Sequence, residues 1–275
     1  MSIFTVDKDK CKADRICVEE CPMRVIKISE DLNIAVPIEN ADKYCINCGH
    51  CVAVCPHGAL SLQTMTPEQC VPIDKSLIIT KEQAEQFLRA RRSIRTYQDK
   101  PVDRILLQKI IDIACNAATG LNMQPVKWMI FDRKEDVQKI EGIVVDWMRH
   151  MIKEQHELAN LLNFDRMVAD IDADRKTPIC NQAPHILFAY GHKDIPLVHE
   201  NCIIALTYLD LAASGFGVGA CWAGYVTLAA QLWPPVQEAL ALPEDHVLSY
   251  AMMIGYPKYK YQRIPIRKET DIVWR

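Results

Sequence analysis

The 275-residue sequence contains no long apolar run, and aromatic residues make up only 7% of it. No stretch approaches the roughly 20 apolar residues that a membrane-spanning helix needs. The opening residues, MSIFTVDKDK, also lack the apolar segment of a secretion signal. We therefore expect a cytoplasmic protein that does not bind a membrane.

A strong charge of either sign is missing as well. The formal net charge is −3, and lysine and arginine are scattered along the chain, so the sequence does not indicate a nucleic-acid-binding surface. No Gly-x-Gly-x-x-Gly turn is present, so a separate Rossmann site for a dinucleotide is not expected. The expected partners are small molecules and other proteins.

Cysteine, by contrast, is abundant. Seven of the twelve cysteines lie within the first 55 residues at short spacings, and the others are scattered singly. A disulfide framework needs an oxidising compartment, whereas thiolate ligands for a metal suit a reducing cytosol. The crowding of cysteine at one end therefore predicts a metal cluster.

The cysteines of this region form two related halves. The second half is a complete C-x2-C-x2-C-x3-C-P run made by Cys45, Cys48, Cys51 and Cys55. In such a run three thiolates converge on one iron–sulfur cube and the fourth reaches a neighbouring cluster. A zinc site is the alternative, but zinc needs only four ligands and gives no reason for this spacing. The first half has the same spacing in Cys11, Asp14, Cys17 and Cys21, with Asp14 in the place of the second cysteine.

Together the two halves resemble a bacterial two-cluster ferredoxin over residues 1 to about 64. The resemblance implies that each cluster takes three ligands from one half and one from the other. One 4Fe-4S cluster would use Cys21, Cys45, Cys48 and Cys51. The other would use Cys11, Cys17 and Cys55, either as a 4Fe-4S cluster with Asp14 as an oxygen ligand or as a 3Fe-4S cluster that lacks this iron. A third interpretation of Asp14 is an ordinary acid in a solvated turn.

The pattern of elements indicates two domains. We predict an iron–sulfur domain over residues 1–66, in which short strands at 25–28 and 59–62 follow the two Cys-Pro pairs, a linker over 67–80 and a second domain over 81–275. In the second domain, helical periodicity begins at Lys81 and recurs at 103–117, 137–162, 197–214 and 228–240. Apolar runs at 128–131, 186–189 and 250–254 indicate strands. Helices separated by single short strands predict an α+β domain with a small central sheet.

Four motifs in the second domain suit a phosphate or a flat ring. The first is Arg91-Arg92-Ser93-Ile94-Arg95, whose guanidinium forks fit phosphate oxygens; a solvated basic helix end is the alternative. The second is a turn that contains Asn122 and Gln124. The third is the glycine-rich stretch 215–224, because glycine lets the backbone approach a flat ligand closely. The fourth is the basic tail, which includes Arg263.

In this order the motifs resemble those of the nitroreductase family, over residues 85–268. The resemblance implies a central mixed sheet and an intertwined homodimer with FMN at the interface. The flavin-binding residues that it implies are Arg91, Arg92, Ser93, Arg95, Asn122, Gln124, Cys221, Trp222, Ala223, Gly224 and Arg263. Within this set, the backbone N–H of Ala223 would lie near flavin N5, Arg263 would reach the phosphate, and Asn122 would serve the flavin of the partner chain.

Clusters and a flavin in one chain predict an oxidoreductase. Electrons would pass from an external donor, a ferredoxin or NAD(P)H, through the clusters to FMN and then to a small conjugated acceptor, such as a nitroaromatic, a quinone or an enone. Two alternatives stay open. The first is a non-enzymatic electron carrier or redox sensor, and the second is a flavin-dependent reductive dehalogenase.

Several other residues have both a chemical and a structural interpretation. The single cysteines Cys70, Cys115, Cys180 and Cys202 fit small buried hydrophobes better than reactive thiols, and a packing role is also favoured for Cys221. His185 and His199 are candidates for proton donors or for structural hydrogen bonds. Side chains that would either line the flavin pocket or belong to the core are Trp222, Tyr97, Tyr256, Tyr259 and Tyr261.

Overall fold

The computed structural model describes residues 3–173, 175 and 177–275; the first two residues of the predicted iron–sulfur domain lie outside this range. The chain divides into two compact units, one of Met1–Ile79 with Leu121–Met123 and the other of Thr80–Gly120 with Gln124–Arg275. Among the described residues, no helix combines the length and the apolar composition that crossing a bilayer requires.

The first unit contains two small antiparallel sheets. Strand β1 (Phe4–Val6) pairs with β4 (Leu60–Leu62), and β2 (Ile26–Ile28) pairs with β3 (Ala35–Pro37). The predicted strands at 25–28 and 59–62 are thus confirmed as β2 and β4, whereas β1 and β3 are not predicted. The short helices of the unit are α1 (Ile16–Glu20), α2 (Ala41–Tyr44) and α3 (His50–Ala53), and 3-10 turns lie at Pro67–Gln69 and Lys75–Leu77.

The two cysteine halves have the same backbone conformation. Ala13 and Arg15 have φ angles of 54° and 66°, and the residues at the corresponding positions of the second half, Asn47 and Gly49, have φ angles of 52° and 76°. The second residue of each pair is the N-cap of the helix that follows, α1 or α3. Left-handed residues that alternate with right-handed ones turn successive N–H groups toward one concave side, which favours an anionic ligand.

The second unit is built on one four-stranded sheet. The strand order is β5-β6-β8-β7, formed by Lys127–Phe131, His185–His192, His246–Gly255 and Gly219–Trp222. All three strand pairs are antiparallel, so the mixed pairing that the resemblance implies is not found among the described strands. The predicted α+β fold and the three predicted strands are confirmed.

Helices cover both faces of this sheet. The helices of the unit are α4 (Lys81–Ala90), α5 (Arg104–Ala114), α6 (Lys134–Lys153), α7 (Glu157–Leu161), α8 (Phe164–Asp172), α9 (Val198–Gly215), α10 (Gly224–Leu232) and α11 (Pro234–Leu240). On β6, Ile186 and Phe188 pack into one apolar cluster, with α6, α8, α10 and α11, and Leu187 and Ala189 pack into a second cluster with α5 and α9. Because both faces are buried, the strand has a continuous apolar run rather than an alternating one.

Helix boundaries differ from the sequence prediction at two places. The helix predicted over 137–162 is divided into α6 and α7, because Gln155 between them has a φ angle of 52°, which interrupts a right-handed helix. The helix predicted over 228–240 is also divided, because Pro234 begins α11 and proline cannot continue a preceding helix. Helix α8 is not predicted, and strand β7 occupies part of the predicted glycine-rich turn.

Candidate functional site

One cavity in the first unit is lined by four cysteines. These are Cys21, Cys45, Cys48 and Cys51, and apolar side chains such as Phe4 and Ile26 complete the lining. Burial, together with the charges of the other three thiols, raises the pKa of the Cys51 thiol to about 12. Four thiolates in such a space need a compensating positive charge, which bound iron supplies. The donor set therefore fits an iron–sulfur cluster.

A second cavity in this unit is lined by the remaining predicted ligands. Cys11, Asp14, Cys17 and Cys55 line it, together with His57 and Lys12. Burial raises the pKa of Cys17, and Cys55, Cys11 and Asp14 raise it further. The eight side chains thus lie in the two groups that the ferredoxin resemblance implies, and all twelve cysteines are free thiols. In the part of the chain that the structure describes, no three His, Cys, Asp or Glu side chains are placed to hold one metal ion. Iron binding by these two groups of side chains therefore stays a prediction.

The Asp14 carboxylate, which lines the second cavity, has two polar partners. Its Oδ1 accepts a hydrogen bond from the N–H of Ile16 at 3.2 Å, and its Oδ2 lies 3.5 Å from Nε2 of His57. The N–H of Ala59 donates to Sγ of Cys55 at 3.4 Å. His57 was not predicted for this site, and its position two residues after Cys55 is the signal that could have identified it.

In the second unit, three of the predicted motifs meet. The N–H of Ile94, in the arginine motif, donates to the carbonyl oxygen of Ala220 on β7 at 3.0 Å. The same segment then joins the tail, because Gln98 N–H donates to Tyr256 O at 2.8 Å and Lys258 N–H donates to Thr96 O at 3.0 Å. The arginine motif therefore lies between the edge strand and the start of the basic tail.

The cavity at this junction is positively charged. Its charged lining residues are Arg91, Arg92, Lys260 and Asp210, so the basic groups exceed the acidic one by two. Asp210 accepts a hydrogen bond from Arg91, and burial raises the pKa of this carboxyl group while Arg91 lowers it. Gly219 and Ala220 of β7 and the rings of Tyr259 and Tyr261 also line the cavity. Such a lining suits an anionic ligand that carries a flat or apolar part.

Asp210 and Lys260 were not predicted for this site. Asp210 is a single carboxylate within the otherwise uncharged stretch 201–215 of α9, and its side chain is only 7% exposed. A buried charge usually has a partner, so this lone acid on an apolar helix is a signal that the sequence already contained.

Other predicted flavin-binding residues lie beside the cavity rather than in its lining. Burial raises the pKa of the Cys221 thiol, whereas the Arg95 guanidinium and a hydrogen bond with Ser93 lower it, so these three side chains are neighbours. Trp222 packs its ring edge-to-face on Tyr250, with 4.9 Å between ring centroids.

The predicted N5 donor, the N–H of Ala223, already has a partner. It donates to Ala251 O at 2.9 Å, and Ala223 is 1% exposed. The next residue, Gly224, is the first residue of α10, and no side chain caps this helix. Because the first N–H groups of a helix have no partner within the helix, the amide of Gly224 is available where the amide of Ala223 is not.

The structure places the remaining predicted flavin residues elsewhere. Asn122 belongs to the first unit, where its side-chain amide donates to Ile46 O and Asn47 O at 3.3 and 3.0 Å. The backbone N–H of Gln124 donates to Thr119 Oγ1 at 3.1 Å. Arg263 is exposed in the tail.

The residues with two interpretations are divided between core and surface. His185 is buried, with Val102 N–H donating to its Nε2 at 2.8 Å and Asp132 O lying 3.0 Å from its Nδ1, so it forms structural hydrogen bonds. Tyr97 is buried in the core. Cys180 and Cys202 are fully buried, as expected, whereas Cys70 is half-buried, Cys115 is exposed and His199 is exposed.

Comparison with family models assigns both units. Residues 88–256 match the model of the nitroreductase family, and residues 9–60 match the model of a 4Fe-4S dicluster domain. The first match covers more than half of the chain.

Individual relatives match the second unit. A putative NADH dehydrogenase/NAD(P)H nitroreductase of Methanothermobacter thermautotrophicus is 24% identical over 180 residues, which cover 65% of this chain and 80% of the relative. An iodotyrosine deiodinase of Thermotoga neapolitana is 26% identical over 189 residues, which cover 66% of this chain and 94% of the relative. Among solved structures, a nitroreductase with bound FMN from Desulfitobacterium hafniense superposes with a TM-score of 0.56 at 19% identity, over 71% of this chain and 99% of that one.

Proposed function

Because the chain belongs to the nitroreductase family and carries an N-terminal 4Fe-4S dicluster domain, we propose that it passes electrons from an external donor through two iron–sulfur clusters to FMN and then to a small conjugated acceptor. The observation that supports this most is that the predicted ligands line two separate cavities, one set in each. The same chain has a third cavity, with two arginines and a lysine, in its nitroreductase unit.

The first unit would hold the clusters, which transfer electrons singly, whereas FMN joins one-electron to two-electron transfer. Cys21 and the three thiols of the second half would hold a 4Fe-4S cluster. In the other cavity, the Asp14 carboxylate is a harder and weaker ligand for iron than a thiolate. The iron that Asp14 faces would therefore be the labile one, and loss of this iron would leave a 3Fe-4S cluster.

The second unit would bind the flavin at the junction of the arginine motif, β7 and the tail. Arg92 and Lys260 place positive charge in the cavity, which favours the phosphate and a reduced, anionic ring. Ser93 and Arg95 would contact the polar edges of the flavin. The open amide of Gly224, at the positive end of α10, replaces the amide of Ala223 as our candidate donor to flavin N5.

In a homodimer, Asn122 would serve the flavin of the partner chain. The resemblance to the nitroreductase family implies that one chain contributes to the flavin site of the other, and Asn122 lies outside the cavity lining. Gln124 and Arg263, which also lie outside this lining, would bind the flavin as well, with Arg263 at the phosphate. Light scattering on the purified protein gives the mass directly. A monomer at micromolar concentration that still retains FMN would contradict this part of the proposal.

Stopped-flow spectroscopy under anaerobic conditions tests the relay. The flavin absorbance is followed after mixing with reduced ferredoxin, NADH or NADPH, in the wild type and in a variant with Cys45 and Cys11 both replaced by serine. We expect ferredoxin to reduce the flavin of the wild type and to fail with the variant, while Cys115→Ser, which changes an exposed single cysteine, behaves as the wild type. Equally fast reduction by NAD(P)H with and without the clusters would remove the relay from the mechanism.

A metal and flavin analysis of anaerobically purified protein tests the cofactors themselves. We expect about seven or eight irons per chain, according to whether the Asp14 site is filled, and one FMN. Protein that stays free of iron and colourless after reconstitution would refute the proposal.

A reductive dehalogenase is the second candidate, because an iodotyrosine deiodinase is among the relatives that cover two thirds of the chain. The test is iodide release from an iodinated phenol by the reduced protein, measured beside reduction of a nitroaromatic and a quinone. Iodide release that exceeds both other rates would favour this candidate.

A further inference from the structure

The second cavity of the first unit departs from the internal repeat at two positions. Asp14 stands where the second half of the repeat has Cys48. His57 stands two residues after the last cysteine of the second half, where the first half has Met23. Each replacement puts an oxygen or a nitrogen atom where the other half of the repeat has a sulfur atom.

These two replacements meet in one cavity, although they belong to different halves. The turn after each Cys-Pro pair has the same backbone, because Arg24 and Gly58 have φ angles of 53° and 55°. The side chains just before them occupy equivalent places, so Met23 lines the cavity of the four cysteines and His57 lines the cavity of Asp14. There, Nε2 of His57 lies 3.5 Å from Oδ2 of Asp14. The change of a ligand in one half is thus matched by a change in the other half that faces it.

The Asp14 carboxylate can bind a metal ion and keep both of its polar partners. Its Oδ1 accepts from the N–H of Ile16 at 3.2 Å, and its Oδ2 faces the His57 ring. An ionised carboxylate has about four lone-pair sites, so each oxygen has one left for iron. Nε2 carries a proton in one neutral tautomer of histidine as well as in the charged ring, so the contact does not require a charged histidine. Carboxylates that bind a metal are normally held by hydrogen bonds of this kind.

A second histidine in the same unit provides an internal comparison. His50 lines the cavity of the four cysteines, but its Nδ1 lies 3.5 Å from Oε1 of Glu20, which is not a predicted iron ligand. The two histidine–carboxylate pairs have the same separation and are both partly exposed. Only the pair of His57 and Asp14 includes a predicted ligand, so the two pairs separate an effect on the iron from a general effect of a surface ion pair.

We propose that His57 is a positioning residue that holds the Asp14 carboxylate at the fourth iron of the second cluster. The ring N–H fixes Oδ2 and the backbone N–H of Ile16 fixes Oδ1, so the carboxylate is already ordered when it binds iron. This inference rests on the proposed function and deepens it, since it states how an oxygen ligand retains the labile iron. Without His57, the fourth iron should bind more weakly. Competition between His57 and iron for the carboxylate would have the opposite effect.

The test measures the dissociation constant of the fourth iron. Ferrous iron is added under anaerobic conditions to the protein with its second cluster in the reduced three-iron form, and EPR gives the fraction of clusters still in that form. One ferrous ion completes the 4Fe-4S cluster without any further electron. We expect His57→Met to raise the dissociation constant about tenfold. His57→Gln should stay within about threefold of the wild type, because its amide keeps an N–H donor, and the matched control His50→Met should leave the constant unchanged.

The same substitution in an Asp14→Cys background completes a double-mutant cycle. A thiolate at position 14 has no oxygen for the ring to hold, so His57→Met should change the constant there by less than about twofold. Retention of both clusters by this double variant shows that methionine is tolerated at position 57. Unchanged or tighter iron binding in His57→Met, equal weakening in both backgrounds, or a wild-type three-iron form that takes up no ferrous iron would overturn the inference and leave the proposed relay intact. A wild type that binds no iron at all would overturn both.

Discussion

Gly219→Ala should destabilise the second unit by pushing the arginine motif away from β7. A Cβ atom at this position would lie 2.4 Å from Ile94 Cγ1, 2.8 Å from Ile94 Cβ and 2.9 Å from Pro257 Cγ. All three distances are shorter than real Cβ contacts, so Ile94 and Pro257 must move. Overpacking of this kind typically costs about 1–3 kcal/mol.

The magnitude can be converted into a melting temperature. For a unit of this size, 1 kcal/mol corresponds to roughly 2–4 °C, so we expect the melting temperature to fall by roughly 2–12 °C. All five tryptophans lie between residues 128 and 274, within the second unit, and their fluorescence therefore reports its unfolding selectively. The same displacement should weaken FMN binding, because Ile94 stands within the arginine motif.

The matched control is Gly142→Ala. Gly142 is exposed on α6, and a Cβ there would meet nothing within 4 Å. Alanine is the better helix former by about 0.5–1 kcal/mol, so this change should raise the melting temperature slightly and leave FMN binding unchanged. Equal melting temperatures for the two variants would refute the argument from the contact of Gly219 with Ile94.

Three further predictions concern other parts of the chain. Asp14→Cys should supply the second cavity with a fourth thiolate, which holds iron more firmly than a carboxylate. We expect a three-iron EPR signal after mild oxidation of the wild type, and this signal should be absent from the variant. A three-iron signal that persists in the variant would contradict iron ligation by the side chain at position 14. Burial lowers the pKa of His185 below its usual value of about 6.5. Just below pH 6.5 the unfolded chain therefore binds more protons than the folded chain. The stability that the neutral His185 ring contributes is thus present above about pH 6.5 and is lost as the pH falls. The melting temperature of the wild type should therefore exceed that of His185→Gln more at pH 7.5 than at pH 5.5, and a constant difference would show that the histidine does not titrate on unfolding. Thr227→Val should lower the free energy of unfolding, measured by chemical denaturation, by about 1–3 kcal/mol, because it removes the oxygen that accepts from the buried N–H of Ala251 at 3.0 Å. The control Thr207→Val, at an exposed position, should change the free energy of unfolding by less than about 0.5 kcal/mol. Equal effects of the two substitutions would contradict this reason.

The candidate cluster ligands could be predicted from the local spacing of the cysteines. The x2, x2, x3 spacing extends over about ten residues, within which a short helix and two left-handed residues fix the direction of each side chain. The division into two ligand groups, which joins Cys21 to the second half and Cys55 to the first, is what the resemblance to two-cluster ferredoxins implies. The contact of His57 with Asp14 was harder to predict from the sequence, because a single histidine is not part of any repeated spacing.

In the second unit the continuous apolar runs of β5, β6 and β8 could be recognised because they are buried on one or both faces. Strand β7 could not, since its four residues contain no alternation and its pairing with β8 depends on residues more than 25 positions away. The breaks at Gln155 and Pro234 lie inside stretches of unbroken helical periodicity, so only the backbone conformation revealed the first of them.

The sequence alone therefore determined the family and the types of element and predicted the cofactors, because these depend on residue identity and on spacing over one or two turns of chain. Tertiary structure alone decided which donors are free to bind a ligand. Asp210 lies 119 positions from Arg91, and Ala251 lies 28 positions from Ala223, so no local pattern can show that one guanidinium and one amide are already engaged. Hydrogen bonds between distant segments engage donors that look equivalent in the sequence, and this is why Gly224 replaces Ala223 as the candidate donor to flavin N5 only once the chain is folded.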